Sequence, residues 1–133
     1  MRVDWGAVWV VFFLVVAVLG LLAEASKAAP TAEVVYSQSW CKAAGGKHQF
    51  RVTHPVTGEL VGFADCVTDK WAVEVEKERR WYQAVGQSLM YAQYTGLRAK
   101  IVLIGKEYGK YHLRLLNMIW NYQLPIEVEV IAP

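Results

Sequence analysis

The alternation of apolar and polar positions changes its period several times along this 133-residue chain, and each change predicts an element. Residues 6–23 are apolar and carry no charge, which suits a helix long enough to cross a bilayer. Arg2 precedes the run, and Ala23 and Ala25 follow at a spacing that suits signal peptidase. The expectation is an N-terminal apolar helix over residues 1–25, either a retained anchor or a cleaved leader. A small-residue linker over 26–32 and one domain over 33–133 would follow.

Pro30 and Thr31 suit the start of a helix, which Gly45 and Gly46 then stop; Glu33, Ser37, Trp40 and Ala44 share one of its faces. Residues 48–54 alternate as a strand, with Phe50 and Val52 set against Gln49, Arg51 and Thr53. Pro55 and Gly58 mark a turn into a second strand over 60–67, and the pair reads as a hairpin. A tight connection leads to a third strand over 71–76. There Trp71, Val73 and Val75 face one way, and Ala72, Glu74 and Glu76 the other. Residues 77–96 have a helical period, with a buried stripe of Trp81, Val85, Ser88, Leu89 and Ala92. Arg80, Gln87 and Tyr91 fall together on a different face of that helix. Residues 97–105 contain a continuous apolar run over 101–104, which predicts a central strand. A third helix over 109–124, closed by Pro125, and an edge strand over 126–131 complete an α/β fold. Its core order is αβββαβ, a mixed sheet flanked by helices, with a C-terminal αβ added.

Charge narrows the function only slightly: a formal net charge of +2 permits a polyanionic partner without requiring one. Cys41 and Cys66 have no metal-site spacing; they form a disulfide in an oxidising compartment or two buried thiols otherwise, and spacing leaves both open. His48, His54 and His112 likewise show no ligand spacing.

The acids are more informative. Glu74 and Glu76 share a strand face, and antiparallel pairing of the second and third strands brings Asp65 near Glu74. Carboxylates so close raise each other's pKa unless a cation joins them. Hard oxygen donors select Mg²⁺ or Mn²⁺. Such an ion acidifies an attacking water, and Lys77 or Arg80 would stabilise the developing charge. The plain alternative is a solvated strand face, as residues 126–130 also show; Glu33 would then merely complement its helix dipole.

The element order, with Asp65, then Glu74-x-Glu76, then Gln87-x-x-x-Tyr91 on the next helix, resembles the PD-(D/E)xK nuclease superfamily, in the branch similar to Holliday-junction resolvases. The stretch DCVTDKWAVEVEKERRWYQAVGQSLMYAQYTGLRAKIVLI is similar to small bacterial nuclease-like domains of that superfamily. The likeness covers residues 33–131 by element order and 65–104 by motif. It implies a metal held by Asp65 and Glu74 with Glu33 from the first helix, and a site lined by Gln87 and Tyr91. It also implies Mg²⁺-dependent hydrolysis of a nucleic-acid phosphodiester, with DNA as substrate, and a homodimer. Glu76 stands where the family has Lys. The cation then moves to Arg80, with Lys77 second, and an arginine keeps its proton and can only clamp phosphate or stabilise charge. A second expectation follows from Glu76: a membrane-tethered binding module of the same fold without catalysis. A third is a secreted adhesive or inhibitory domain held by a disulfide.

Overall fold

The computed structural model describes residues 29–133, so the predicted helix over 6–23 lies outside the described residues. Residues Thr31–Pro133 form a compact unit of their own. No helix among the described residues is long and apolar enough to cross a membrane.

The elements run α1 (Ala32–Ala43), β1 (Lys47–Thr53), β2 (Leu60–Val67), β3 (Trp71–Lys77), a 3₁₀ turn (Glu78–Arg80), α2 (Trp81–Thr95), β4 (Arg98–Ile104), α3 (Lys110–Tyr122) and β5 (Ile126–Ile131). The five strands form one sheet in the order β1-β2-β3-β4-β5. The first three are antiparallel, and β3, β4 and β5 are parallel. The expected mixed α/β sheet is therefore present, with β4 inside and β5 at an edge.

Local chemistry sets the ends of the elements. Thr31 caps α1 through its side-chain oxygen, which accepts the Val34 amide at 3.4 Å. At the other end Gly45 takes φ 69°, Gly45 N–H donates to Lys42 C=O, and Gly46 N–H donates to Cys41 C=O. That pair of bonds is a Schellman stop, and the left-handed Gly45 is the residue that permits it. The helix over 77–96 starts later than its period suggests: Lys77 is still extended, and residues 78–80 form a 3₁₀ turn before α2. α3 ends at Gln123 in left-handed geometry rather than at Pro125.

α1 covers one sheet face, packing Tyr36, Trp40 and Cys41 on Val73, Val75 and Val102. On the other face Ala84 of α2 and Leu115 of α3 pack on Ala99, Ile101 and Leu103 of β4. The parallel half is laddered along its whole length, from Trp71↔Arg98 to Lys77↔Ile104 and from Ala99↔Ile126 to Ile104↔Ile131. Burial on both sides explains why β4 reads as an uninterrupted apolar run over 101–104.

A Cys41–Cys66 disulfide ties α1 to β2 and decides between the two readings of the cysteines. Closing a loop of that separation, 25 residues, stabilises the fold by about 3.5 kcal/mol in the chain-entropy account. Gly46 lies against both sulfurs, and a β-carbon there would collide with Cys66 Sγ.

Candidate functional site

The sheet divides at Asp65. β2 and β3 pair only at Cys66↔Val73 and Val67↔Ala72, beside the turn that joins them. Beyond these pairs β2 follows β1 while β3 follows β4, so a fork opens. Two carboxylates stand in for the missing ladder bonds. Asp65 Oδ2 accepts the Val75 amide at 2.9 Å, and Glu74 Oε1 accepts the Asp65 amide at 3.4 Å. Each acid is thus fixed by the backbone of the other's strand.

The strand on the far side of Asp65 is irregular too. Pairing of β1 with β2 runs His48↔Cys66 and Phe50↔Ala64, and the intervening Gln49 has φ 52°. A left-handed non-glycine costs about 1–2 kcal/mol and persists only where its surroundings impose it. Gln49 Nε2 donates to Asp65 Oδ1 at 3.2 Å, so both Asp65 oxygens are held. The kink also turns the ribbon over. Cys66 packs beneath α1, whereas Ala64, two residues away, packs with Tyr91 of α2. On β1, His48 Nε2 lies 2.9 Å from Ser37 Oγ of α1, while Phe50 packs with the α2 cluster. The strict alternation expected through residues 48–54 therefore fails at Gln49.

Glu74 and Glu76 do share a face of β3, but it is not a solvated one. They are 6% and 5% exposed. Burial first, and then the neighbouring charge of Asp65, push the Glu74 carboxyl up to about 9. Burial chiefly raises Asp65 as well; the Val75 amide opposes that shift and the Glu33 charge adds to it. Glu76 is also raised by burial, against its bonds to the Lys77 amide and Arg80. Among the described residues, no lysine or arginine forms an ion pair with Asp65 or Glu74.

Arg80 is the cation the structure brings to the acids. Its Nε donates to Glu76 Oε1 at 2.9 Å and its Nη2 to Glu33 Oε2 at 2.6 Å. These bonds, with Glu76 foremost, hold its proton more firmly still. Arg80 therefore joins the start of α1 to the end of β3. Lys77 leaves the end of β3 exposed and makes no ion pair among the described residues.

From α2, Tyr91 enters the opened side of the fork. Burial, and then the Glu74 charge, raise its phenol, against the opposing backbone amide of Phe63. Gly62 leaves the room: a β-carbon there would sit 2.5 Å from the Tyr91 hydroxyl. Gln87 is exposed on the same helix. Of the residues singled out in the sequence, Asp65, Glu74, Glu76, Arg80, Glu33 and Tyr91 thus gather around the fork. Gln49 and Gly62 complete the setting and carry no local signal, since a left-handed glutamine and a glycine under a distant ring are visible only once strands and helix are assembled.

No three carboxylate, imidazole or thiolate donors converge on one point among the described residues. Arg80 draws Glu33 aside, and backbone amides hold Asp65 and Glu74. The chemistry of the donors still suits a hard divalent cation. Two adjacent buried carboxyls resist ionisation, and they would give up a proton most readily to an ion with +2 charge. Compared with family models, curated proteins and solved structures, the chain matches none of them.

Proposed function

We propose that residues 31–133 form a PD-(D/E)xK-type domain that hydrolyses a phosphodiester of nucleic acid with Mg²⁺ or Mn²⁺. The observation that carries this reading is the fork, which seats Asp65 and Glu74 on each other's strand and leaves both without a cationic partner among the described residues. Asp65 and Glu74 would hold the ion, and Glu33 would join them once released from Arg80. The ion supplies Lewis acidity and charge neutralisation at the reacting phosphate. Arg80, permanently protonated and half-exposed, clamps the phosphate; Tyr91 keeps β2 and β3 apart, and Gln87 contacts the substrate from the rim. The Cys41–Cys66 disulfide favours an oxidising compartment, consistent with a domain exported or tethered through residues 6–23.

The test is cleavage by the full-length chain of linear, branched and single-stranded DNA, with and without Mg²⁺ or Mn²⁺. Asp65→Asn and Glu74→Gln are each expected to lower the rate by at least about 100-fold while the fold persists, because each removes a charge on which the reaction depends. Metal-independent cleavage, or cleavage indifferent to both substitutions, overturns the reading.

One observation favours a second reading. Glu76 occupies the place of the family's lysine, and it and Glu33 already engage Arg80 through Nε and Nη2. A domain so arranged binds nucleic acid without cutting it, and binding without cleavage in the same assay would establish that module.

A further inference from the structure

A cleft of about 880 Å³ opens at the carboxyl ends of β3 and β4, immediately beside Arg80. Lys77, Glu78, Arg79 and Arg80 line one side of it, and the first turn of α1 with Glu33 and Tyr36 lines another.

Three cations, Lys77, Arg79 and Arg80, line this cleft with two acids, Glu33 and Glu78. Glu33 is bound to Arg80 at 2.6 Å. Glu78 turns inward, its side chain lying over Gly105 and its Oε2 accepting the Lys106 amide at 3.1 Å. Gly105 must lack a side chain for that, because a β-carbon would overlap the Glu78 carboxylate. Glu33 is thus paired and Glu78 is held away by a backbone amide, while Lys77 and Arg79 remain exposed and make no ion pair among the described residues. They stand on either side of Glu78 and both line the cleft.

We infer that this cleft holds the nucleic-acid backbone on one side of the reacting phosphate, with Lys77 and Arg79 each contacting a flanking phosphate. The inference rests on the nuclease-like reading of the fork and assigns Lys77 to the backbone rather than to the chemistry. It also gives a role to Arg79, which no motif points to.

The experiment titrates the full-length chain with single-stranded and duplex oligonucleotides over a range of salt, in parallel with calorimetry of Mn²⁺ uptake. Lys77→Gln/Arg79→Gln is expected to weaken binding about tenfold. It should also flatten the slope of log K against log salt by about 1.4 for single strands and about 1.8 for duplex, since each phosphate contact contributes about 0.7 or 0.9. Mn²⁺ uptake stays unchanged. The charge-matched Lys42→Gln/Lys70→Gln, at the opposite end of the sheet, leaves slope and affinity in place. An unaltered slope in the first variant, or an equal loss in the second, overturns the inference. So does a loss confined to vesicles of anionic lipid, which assigns the cleft to a bilayer surface. The two readings fail separately: absence of metal uptake or cleavage, with the slope still flattened by Lys77→Gln/Arg79→Gln, removes hydrolysis and leaves the cleft.

Discussion

From β3 to β5 the backbone ladder is complete, whereas β1–β2 skips the Gln49/Asp65 row and shifts register at Val52/Thr53, and β2–β3 stops beyond Cys66↔Val73, beside Asp65 and Glu74. The first region is held by apolar burial: Ile101, Val102 and Leu103 are fully enclosed between helices on both faces. The second contains a left-handed glutamine, two strands joined through side-chain carboxylates, and acids that burial keeps reluctant to ionise. The left-handed glutamine and the buried acids each oppose folding by themselves. They are tolerated because the disulfide, the Tyr91 ring and the rigid parallel half hold the fork from three sides. One region thus supplies the stability against which the other keeps its strained glutamine and buried acids.

The largest expected effect lies in the scaffold. Leu115→Ala empties a fully buried position where α3 meets β4 and should lower unfolding stability by about 2–5 kcal/mol, measured by denaturant titration. The comparison requires that the protein still folded take up Mn²⁺ with unchanged affinity. A fall in affinity equal to that of a fork variant would show that the two regions are not separable in this way.

A pH series probes the fork directly. The Glu74 carboxyl ionises at about 9 in the folded protein and at about 4.5 when exposed, so across that window the folded state binds the extra proton. Stability should therefore fall as pH rises from about 5 to about 9, by at most about 1.4 kcal/mol per pH unit from this group. Glu74→Gln, shaped like the protonated acid, should flatten that slope. A divalent cation should reverse it in the unaltered protein, since binding then favours the ionised form. An identical pH profile in the variant would show that Glu74 is not the group responsible.

The smallest effect separates strain from function. Gln49→Gly relieves a left-handed side chain, but it gives the unfolded chain more freedom and removes the bond to Asp65. Thermal stability should change by less than about 1 kcal/mol, while Mn²⁺ affinity drops several-fold by calorimetry. Unchanged affinity would leave the kink without a part in positioning Asp65.

Much of the architecture was legible in the residues one after another. Alternation, helical period and turn residues are local, so they predicted every described helix and strand, the central place of β4 and the edge place of β5. The face shared by Glu74 and Glu76 was legible for the same reason. The row at Gln49 was not, because a period-2 pattern assumes a ladder that continues, and here it turns over. The Cys41–Cys66 pairing was open until α1 was laid on β2.

The sequence alone determined which segments seek burial and which acids have a strand in common, since both depend on neighbours along the chain. Only the tertiary structure decided that β2 leaves β3 at Asp65, that Arg80 bridges Glu33 to Glu76, and that Lys77 and Arg79 line a cleft with its acids already engaged. Those outcomes depend on which distant groups compete for the same charge and the same space, and no local pattern encodes that competition.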